Sequence, residues 1–519
     1  MTPDTTAPDA SQPVSTAGMT TKVVKGSLWT LAGQVGPMAV SIVAMSYTIK
    51  MLGAEGYGLL TLVAVIPNYF LFADFGMALA AVRFGSAAYA RGDGAEEGRV
   101  VRSAAVIALA TSVPIALAVI LLADVIISFY DDISVAMRGE AVTALRIASV
   151  TLVVNFLCGI LNSPQLTRLR MDLNTLVNAG SRTAGLIATP VVVYLGYGVL
   201  GAVSVLLAAS LINLTGHLIV SSRLLPNFLT GPIDRKLMRS MVAFGASLVM
   251  GSVASLFLAN IEKGILPKLV SVEALGFYTT AFTFITMMTL FSNAMIQSLI
   301  PAFSRLQADE NREQLQGLYS RGIRLTLIGL APAIVFFIIA AKPLFTVYAG
   351  ESFGVESPPL FYVLLWGLVF NVPAYLPYAA IMARGRTDLF ARLFLIEFVP
   401  YVLLIVFLTW RFGALGAAIG WSLKTSVEGV LWFVFARRYA GLGLADVRLE
   451  RFALAALIML VPLAASLYFS VLNAAVVILF TLSSMLYLFV LWKIVLGREE
   501  TAWITARLSA LAGRATLSL

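Results

Sequence analysis

Long apolar stretches separated by short polar segments fill most of the chain. Each stretch has 18 residues or more, which is enough for a helix to cross about 30 Å of hydrocarbon. The pattern therefore predicts an all-α polytopic membrane protein with about fourteen transmembrane helices. The predicted spans are 26–51, 57–82, 103–129, 139–165, 173–195, 199–222, 240–264, 275–300, 323–348, 359–383, 390–410, 414–436, 452–470 and 472–495.

The composition supports this interpretation and narrows the chemistry. Hydrophobic residues make up 59% of the 519 residues and charged residues 12%, whereas a soluble domain is nearer half apolar and a quarter charged. The one cysteine, Cys158, and the one histidine, His217, both lie in apolar runs. With so few sulfur and imidazole ligands we expect no transition-metal site and no cofactor. No phosphate-binding Gly-x4-Gly-Lys motif occurs, so ATP-driven transport would need another subunit.

The distribution of Lys and Arg predicts the orientation. The net charge of the chain is +9. The basic residues lie in short loops between apolar runs, and this distribution argues against nucleic acid as a partner. With the N-terminus inside, 28 of the 36 basic residues lie on the cytoplasmic side. Arg168, Arg170 and Arg182 are counted together at one such cytoplasmic end. We therefore expect a multi-pass membrane protein with both termini in the cytoplasm.

An internal repeat organises the helices. The motif K-x4-E-x2-G begins at Lys50 after the first span and again at Lys268 after the seventh. Both spans start inside, so the repeat is parallel, about an axis normal to the membrane, a plan common among secondary transporters. The predicted organisation is a disordered cytoplasmic tail, two six-helix bundles, a C-terminal helix pair (helices 13 and 14) and a second cytoplasmic tail. These parts cover residues 1–22, 23–225, 226–440, 441–497 and 498–519.

Motifs in the same places resemble the polysaccharide-transporter branch of the multidrug/oligosaccharidyl-lipid/polysaccharide (MOP) exporters, the Wzx-type flippases. The motifs are Gly26-Ser-Leu-Trp29, Leu52–Gly58, Ala73-Asp-Phe-Gly76, Arg83–Asp93, Ile261-Glu-Lys263, Glu273–Tyr278 and Pro301–Arg305. The resemblance implies a MOP/MATE-like fold around a cavity that opens alternately to each side. It also implies transport of an oligosaccharide linked through pyrophosphate to a polyprenol, with membrane lipid, a polysaccharide polymerase and a chain-length regulator as possible partners.

Other functions fit parts of the pattern. A MurJ-type lipid II flippase would share the fold and differ in head group. A MATE-type antiporter would carry drugs or cations, which the excess of cations in the predicted cavity disfavours. A membrane polymerase or ligase would need a large outer loop, and the longest outer connection, around 342–359, is short. A purely structural protein would leave the charges inside the spans unexplained.

Charged residues inside spans are the candidate functional residues, because a charge at mid-bilayer costs about 2.5–3.5 kcal/mol on insertion scales and so faces a cavity or a partner. The candidates for the substrate cavity or for ion coupling are Asp74, Arg146, Glu262, Lys263, Glu397, Lys424 and Glu428. Lys50 and Lys268 are candidates for an outer gate, and Lys263 lies near the same end.

Each candidate also has a structural explanation. Lys424 and Glu428 are four residues apart and share a helix face, so they form an ion pair or line the cavity. Glu397 pairs with Lys424 or carries a coupling proton. Asp74 bonds the backbone at a bend, pairs with a cation of the N-terminal half or serves as a protonation site. Arg146 extends to the interface or meets the diphosphate, and the lysines near helix ends extend to the interface.

Overall fold

The computed structural model describes residues 16–225, 228, 230–308, 311–469, 473–495, 501 and 505. The chain divides into two compact units. The first unit comprises Met1–Thr279 and Phe394–Val402, and the second comprises Thr280–Leu393 and Leu403–Leu519. No β-strand occurs among the described residues, which confirms the predicted all-α class.

Helices account for nearly all of this structure. They are α1 (Thr16–Asn68), α2 (Met77–Ala90), α3 (Gly94–Leu121), α4 (Ala123–Ser128), α5 (Val135–Leu161), α6 (Ser163–Thr167), α7 (Met171–Val192), α8 (Gly198–Leu224), α9 (Arg235–Leu258), α10 (Ile261–Leu269), α11 (Val272–Ala308), α12 (Arg312–Ala349), α13 (Glu351–Ala383), α14 (Thr387–Phe435), α15 (Leu449–Ala456), α16 (Leu460–Phe469) and α17 (Ala474–Ile494). Short 3₁₀ segments lie at Leu71–Asp74, Ala445–Val447 and Leu457–Met459, and π-helical turns lie at Val193–Tyr197 and Ala436–Ala440.

The chain is a multi-pass membrane protein. Among its described residues, nine helical stretches are long and apolar enough to cross a bilayer. Three of them have 54 to 58 residues, more than twice the length that one crossing needs. Each of these three contains a glycine with positive φ: Gly53 (69°), Gly196 (90°) and Gly413 (61°). Such backbone suits glycine and marks a turn between two crossings. The total of fourteen spans and the proposed domain boundaries stay predictions.

The spans predicted at 57–82 and at 240–264 are both broken, where the apolar pattern predicted continuous helices. The span predicted at 57–82 is interrupted between α1 and α2 by the 3₁₀ segment and by Phe75 and Gly76, both in the left-handed region. The span predicted at 240–264 stops at Leu258 and resumes as α10. Neighbouring groups satisfy the freed backbone of this second break, because the Tyr69 hydroxyl donates to the Asn260 carbonyl at 2.7 Å.

The C-terminal helices pack within the second unit. Phe452, Met459 and Leu491 form a buried cluster with Val335 of α12. The Tyr487 hydroxyl of α17 donates to the Leu327 carbonyl of α12 at 3.3 Å. This hydrogen bond satisfies a phenol that is almost completely buried. The described part of the helix pair predicted at 441–497 is therefore anchored on α12.

Candidate functional site

A cavity of about 560 Å³ lies inside the first unit, between α1, α5, α7 and α8. This volume is within the range of small-molecule sites in proteins. We call it the amide-lined cavity, after the four asparagines among its lining residues. The lining residues are Ala64, Pro67, Asn68, Leu71, Ala148, Thr151, Leu152, Asn155, Asn178, Ser181, Arg182, Gly185, Leu186, Thr189, Val203, Leu206, Ala209, Ser210 and Asn213.

Arg182 carries the one charge in this lining. The loop charges predicted a position at a cytoplasmic helix end, but Arg182 lies in the middle of α7, 11 residues after Met171. That is about 16 Å along the helix at 1.5 Å per residue. Its side chain is exposed, and within the described part of the chain no carboxylate lies within ion-pair distance of it. The guanidinium is therefore available to an anionic ligand.

A buried polar network supports one wall of the amide-lined cavity. The Gln165 amide, oriented as assigned, donates to His217 Nδ1 at 2.8 Å. The imidazole proton then lies on Nε2, which donates to Asn178 Oδ1 at 3.2 Å. Asn213 donates to the same oxygen at 3.1 Å, and the Asn178 amide donates to the Asn174 side chain at 2.6 Å. These bonds fix the orientation of Asn178 before any ligand arrives.

Asp74 lies at the break between α1 and α2. Its carboxylate accepts a hydrogen bond from the backbone N–H of Gly76 at 2.8 Å. This geometry corresponds to the structural explanation considered for Asp74, a bend whose backbone is bonded by the side chain. A role for Asp74 as a protonation site stays a prediction.

The break before α10 holds a buried carboxylate. Glu262 is 2% exposed and accepts a hydrogen bond from the Tyr401 hydroxyl at 2.6 Å. The neighbouring Lys263 ammonium donates to the Asn260 side chain at 3.1 Å. Glu397 lies one helical turn before Tyr401 and is close enough to interact with it electrostatically. The first unit therefore places Glu262 and Glu397 near one tyrosine, Tyr401, with Lys263 next to Glu262 in the chain.

Lys424 and Glu428 form an ion pair on α14 in the second unit. Lys424 Nζ lies 2.8 Å from Glu428 Oε2, and the side chains are 14% and 16% exposed. Tyr375 and Tyr378 of α13 lie within electrostatic range of the Glu428 carboxylate. The ion pair, one of the two interpretations of the four-residue spacing, is thus present, and both side chains are largely buried.

The structure places Arg146 and Lys50 outside the amide-lined cavity. Arg146 donates to the Asp124 carboxylate at 2.7 Å and to the Ile120 carbonyl at 3.3 Å. Its side chain is 45% exposed. Lys50 is exposed, and among the described residues it has no ion-pair partner. Neither Arg146 nor Lys50 is among the residues that line the cavity. The proposed roles of both residues stay predictions.

Lys268, in the last turn of α10, contacts the loop between α4 and α5. Its ammonium lies 2.7 Å from Asp131 Oδ2 and 4.5 Å from the centre of the Phe129 ring. The hydrogen bond from Lys268 holds the pKa of the Asp131 carboxyl below its ordinary value. Asp132 next to it accepts from the Val272 backbone N–H at 3.1 Å. The second K-x4-E-x2-G motif is thus tied to the loop between α4 and α5.

The cavity residues that sequence reasoning missed are polar and uncharged. Asn68, Asn155, Asn178 and Asn213 all lie in apolar runs, where an amide needs a hydrogen-bond partner on another helix or a wet cavity. That signal was available, because amides inside predicted spans are as informative as charges. Which of them face one cavity depended on the packing of four helices.

The comparisons with known proteins agree with this architecture. A family model described as "Polysaccharide biosynthesis protein" matches residues 23–307, more than half of the chain. A protein of Shigella flexneri named "Putative O-antigen transporter" is 22% identical over 418 residues, covering 79% of this chain and 96% of that protein.

Two solved structures share the fold. The lipid II flippase MurJ in an inward closed conformation has a TM-score of 0.71 at 15% identity, covering 90% of this chain and 98% of that one. A multidrug resistance MATE family transporter of the MOP superfamily, in an inward-facing conformation, has a TM-score of 0.67 at 13% identity, covering 78% of this chain and 97% of that one. The MOP/MATE-like fold expected from the motifs is therefore confirmed.

Proposed function

The chain belongs to the polysaccharide biosynthesis protein family, and from this premise we propose that it is a flippase for oligosaccharide repeat units linked through pyrophosphate to a polyprenol. It would move them across the inner membrane, with both termini in the cytoplasm, for exopolysaccharide, capsule or O-antigen synthesis. The family resemblance inferred from the motifs is confirmed by the match over residues 23–307. The likeness to the Shigella flexneri protein, named as an O-antigen transporter, supports the same class of cargo.

One observation on this chain's own residues supports the proposal. Arg182 lines a cavity within the membrane region, together with amides, hydroxyls and apolar side chains, and no carboxylate is among the lining residues. A charge so placed costs free energy unless it serves a partner. A diphosphate-linked sugar brings the anion that Arg182 lacks and the hydroxyls that amides bind. The polyprenyl tail would remain in lipid while the head group crosses.

The same cavity disfavours the drug-antiporter alternative. A cationic drug would meet Arg182 with no carboxylate in the lining to offset the repulsion. A lipid II head group also carries a diphosphate, so the MurJ-type alternative differs only in its sugar and peptide. Transport would proceed by alternating access, driven by an ion gradient or by consumption of the product outside. A polymerase and a chain-length regulator would act on the product.

Deletion of the gene in the native host tests the proposal. We expect loss of the surface polysaccharide and accumulation of the lipid-linked repeat unit on the inner face, with both defects reversed by the wild-type chain. An Arg182→Gln variant should restore little polysaccharide. Arg223→Gln is the matched control, because Arg223 is an exposed arginine at the end of α8 that does not line the cavity. Unchanged polysaccharide in the deletion strain would refute the proposal, and arrest of growth with accumulated lipid II would favour the MurJ-type alternative.

A further inference from the structure

Three of the four hydroxyl groups in the lining of the amide-lined cavity use their protons within their own helices. Thr151, Ser181 and Thr189 each donate to the carbonyl oxygen four residues earlier, at 2.8 to 3.0 Å. A hydroxyl has one donor and two acceptor lone pairs. These three side chains therefore offer only acceptors to the cavity. A ligand that fills it must bring its own donors.

Two carboxamides in the lining are open to a ligand. Asn68 at the end of α1 and Asn155 on α5 are exposed, and within the described residues neither side chain has a hydrogen-bond partner. Asn178, by contrast, has both its oxygen and its amide engaged by protein groups. A carboxamide presents a donor and an acceptor side by side, which matches two adjacent hydroxyl groups. Asn68 and Asn155 thus line the cavity from two helices, and their carboxamides have hydrogen-bonding capacity that no described group uses.

The lining also excludes other ligand classes. Its residues include no aromatic ring and no carboxylate, so the cavity has neither a stacking surface nor an anion for a planar cation. Its wall is divided between apolar residues and the polar groups described above. A hydroxyl-rich ring next to an anionic group fits this combination, with the anion against Arg182.

We infer that the amide-lined cavity is a sugar-binding subsite, in which Asn68 and Asn155 bind vicinal hydroxyls and Arg182 binds an adjacent anion. The inference rests on the proposed function and adds to it the part of the head group that this unit recognises. The anion is either the diphosphate or an acidic sugar, since both present oxygens to a guanidinium in the same way.

Binding to the purified full-length protein tests the subsite. The probes are the oligosaccharide repeat released from the host's own polysaccharide by partial hydrolysis, the same repeat after carboxyl reduction, and inorganic pyrophosphate. Binding is followed by the rise in melting temperature with probe concentration, because a ligand that binds only the folded state stabilises it. The variants are Asn68→Leu and Asn155→Leu, which keep the side-chain volume without hydrogen bonds, and Arg182→Gln, with Arg223→Gln as the control.

We expect each leucine variant to bind the carboxyl-reduced repeat at least tenfold more weakly than wild type, and Arg182→Gln to bind it equally well. If the anion is the diphosphate, Arg182→Gln should no longer bind pyrophosphate. If the anion is an acidic sugar, Arg182→Gln should bind the unreduced repeat no more tightly than the carboxyl-reduced repeat. Arg223→Gln should match wild type throughout.

No stabilisation of the wild-type protein by either repeat, or equal binding by wild type and both leucine variants, would overturn the inference. Failure of the subsite can be distinguished from failure of the proposed function. If the wild-type chain restores polysaccharide in the deletion strain but the repeats do not bind, only the subsite is wrong. If the deletion strain keeps its polysaccharide, the proposed function itself is wrong.

Discussion

Gly58 and Gly276, the final residues of the two K-x4-E-x2-G motifs, lie with their backbones in direct contact within the first unit. A methyl group on Gly58 would lie 1.9 Å from the Val272 carbonyl oxygen, and one on Gly276 would lie 2.4 Å from the Ala54 carbonyl oxygen. The two copies of the repeat motif therefore meet each other, and only glycine permits this approach. The predicted topology places the contact at the outer ends of the spans.

The first prediction concerns this contact. Gly58→Ala forces the backbones apart, and we expect a loss of about 1–3 kcal/mol or more in stability, as for other overpacked sites. Gly36→Ala is the matched control on α1, because nothing lies within 4 Å of its added methyl group and alanine favours a helix. Melting temperatures in detergent should fall for Gly58→Ala alone. Equal melting temperatures for both variants would contradict the packing.

The second prediction separates the two hypotheses for Lys424 and Glu428. Removing one partner of a buried pair costs about 3–5 kcal/mol, because the other charge is left uncompensated. Lys424→Gln should therefore be strongly destabilised, and the double variant with Glu428→Gln should recover most of the loss. Polysaccharide export by the stable double variant indicates a structural pair. Absence of export at normal protein levels indicates a role in the cavity or in coupling.

The third prediction concerns the Tyr401–Glu262 hydrogen bond. A hydrogen bond to a charged group contributes about 1.5–3 kcal/mol, so Tyr401→Phe should lower the melting temperature measurably. Glu262→Gln keeps an acceptor for the same hydroxyl and should melt close to wild type. If Glu262 carries a coupling ion, the glutamine variant should be stable yet defective in export. Normal export by that variant would exclude such a role.

The fourth prediction is a pH dependence outside the spans. Because Lys268 lowers the pKa of Asp131 in the folded protein, the pair stabilises the fold above the unfolded carboxyl pKa of about 3.9. That contribution is lost as the pH falls through the lower, folded pKa. At low salt, the melting temperature of wild type should be slightly higher than that of Asp131→Asn near neutral pH. The two melting temperatures should become equal in strong acid. High salt should shrink the difference, since the pair is exposed.

The fifth prediction concerns His217 as the support of the cavity wall. The ring is completely buried and bridges Gln165 and Asn178. His217→Phe keeps a ring but leaves the buried Gln165 amide without its acceptor, at a cost of about 1–3 kcal/mol. Asn178 loses one of the two hydrogen bonds that its side-chain oxygen accepts and keeps the one from Asn213. We expect a lower melting temperature and weaker binding of the oligosaccharide repeat. An unchanged melting temperature would show that water replaces the imidazole.

The sequence by itself determined the membrane class, the long apolar stretches and the short gaps between predicted spans in which Gly196 and Gly413 lie. Hydrophobic length and glycine positions are local properties, and they survive any arrangement of the helices. The motifs also sufficed to identify the family, because their order along the chain does not depend on packing.

Only the tertiary structure decided which residues share a site. Arg182 was assigned to a cytoplasmic helix end from loop charges, but the packing of α1, α5, α7 and α8 places it in the lining of the same cavity as Asn68 and Asn155. Likewise, nothing local links Glu262 to Tyr401, which are 139 residues apart in the chain. Apolar periodicity reports that a helix is buried in lipid or protein, but not which neighbour each face meets. The polar groups that converge on the cavity therefore became visible only once the helices were packed.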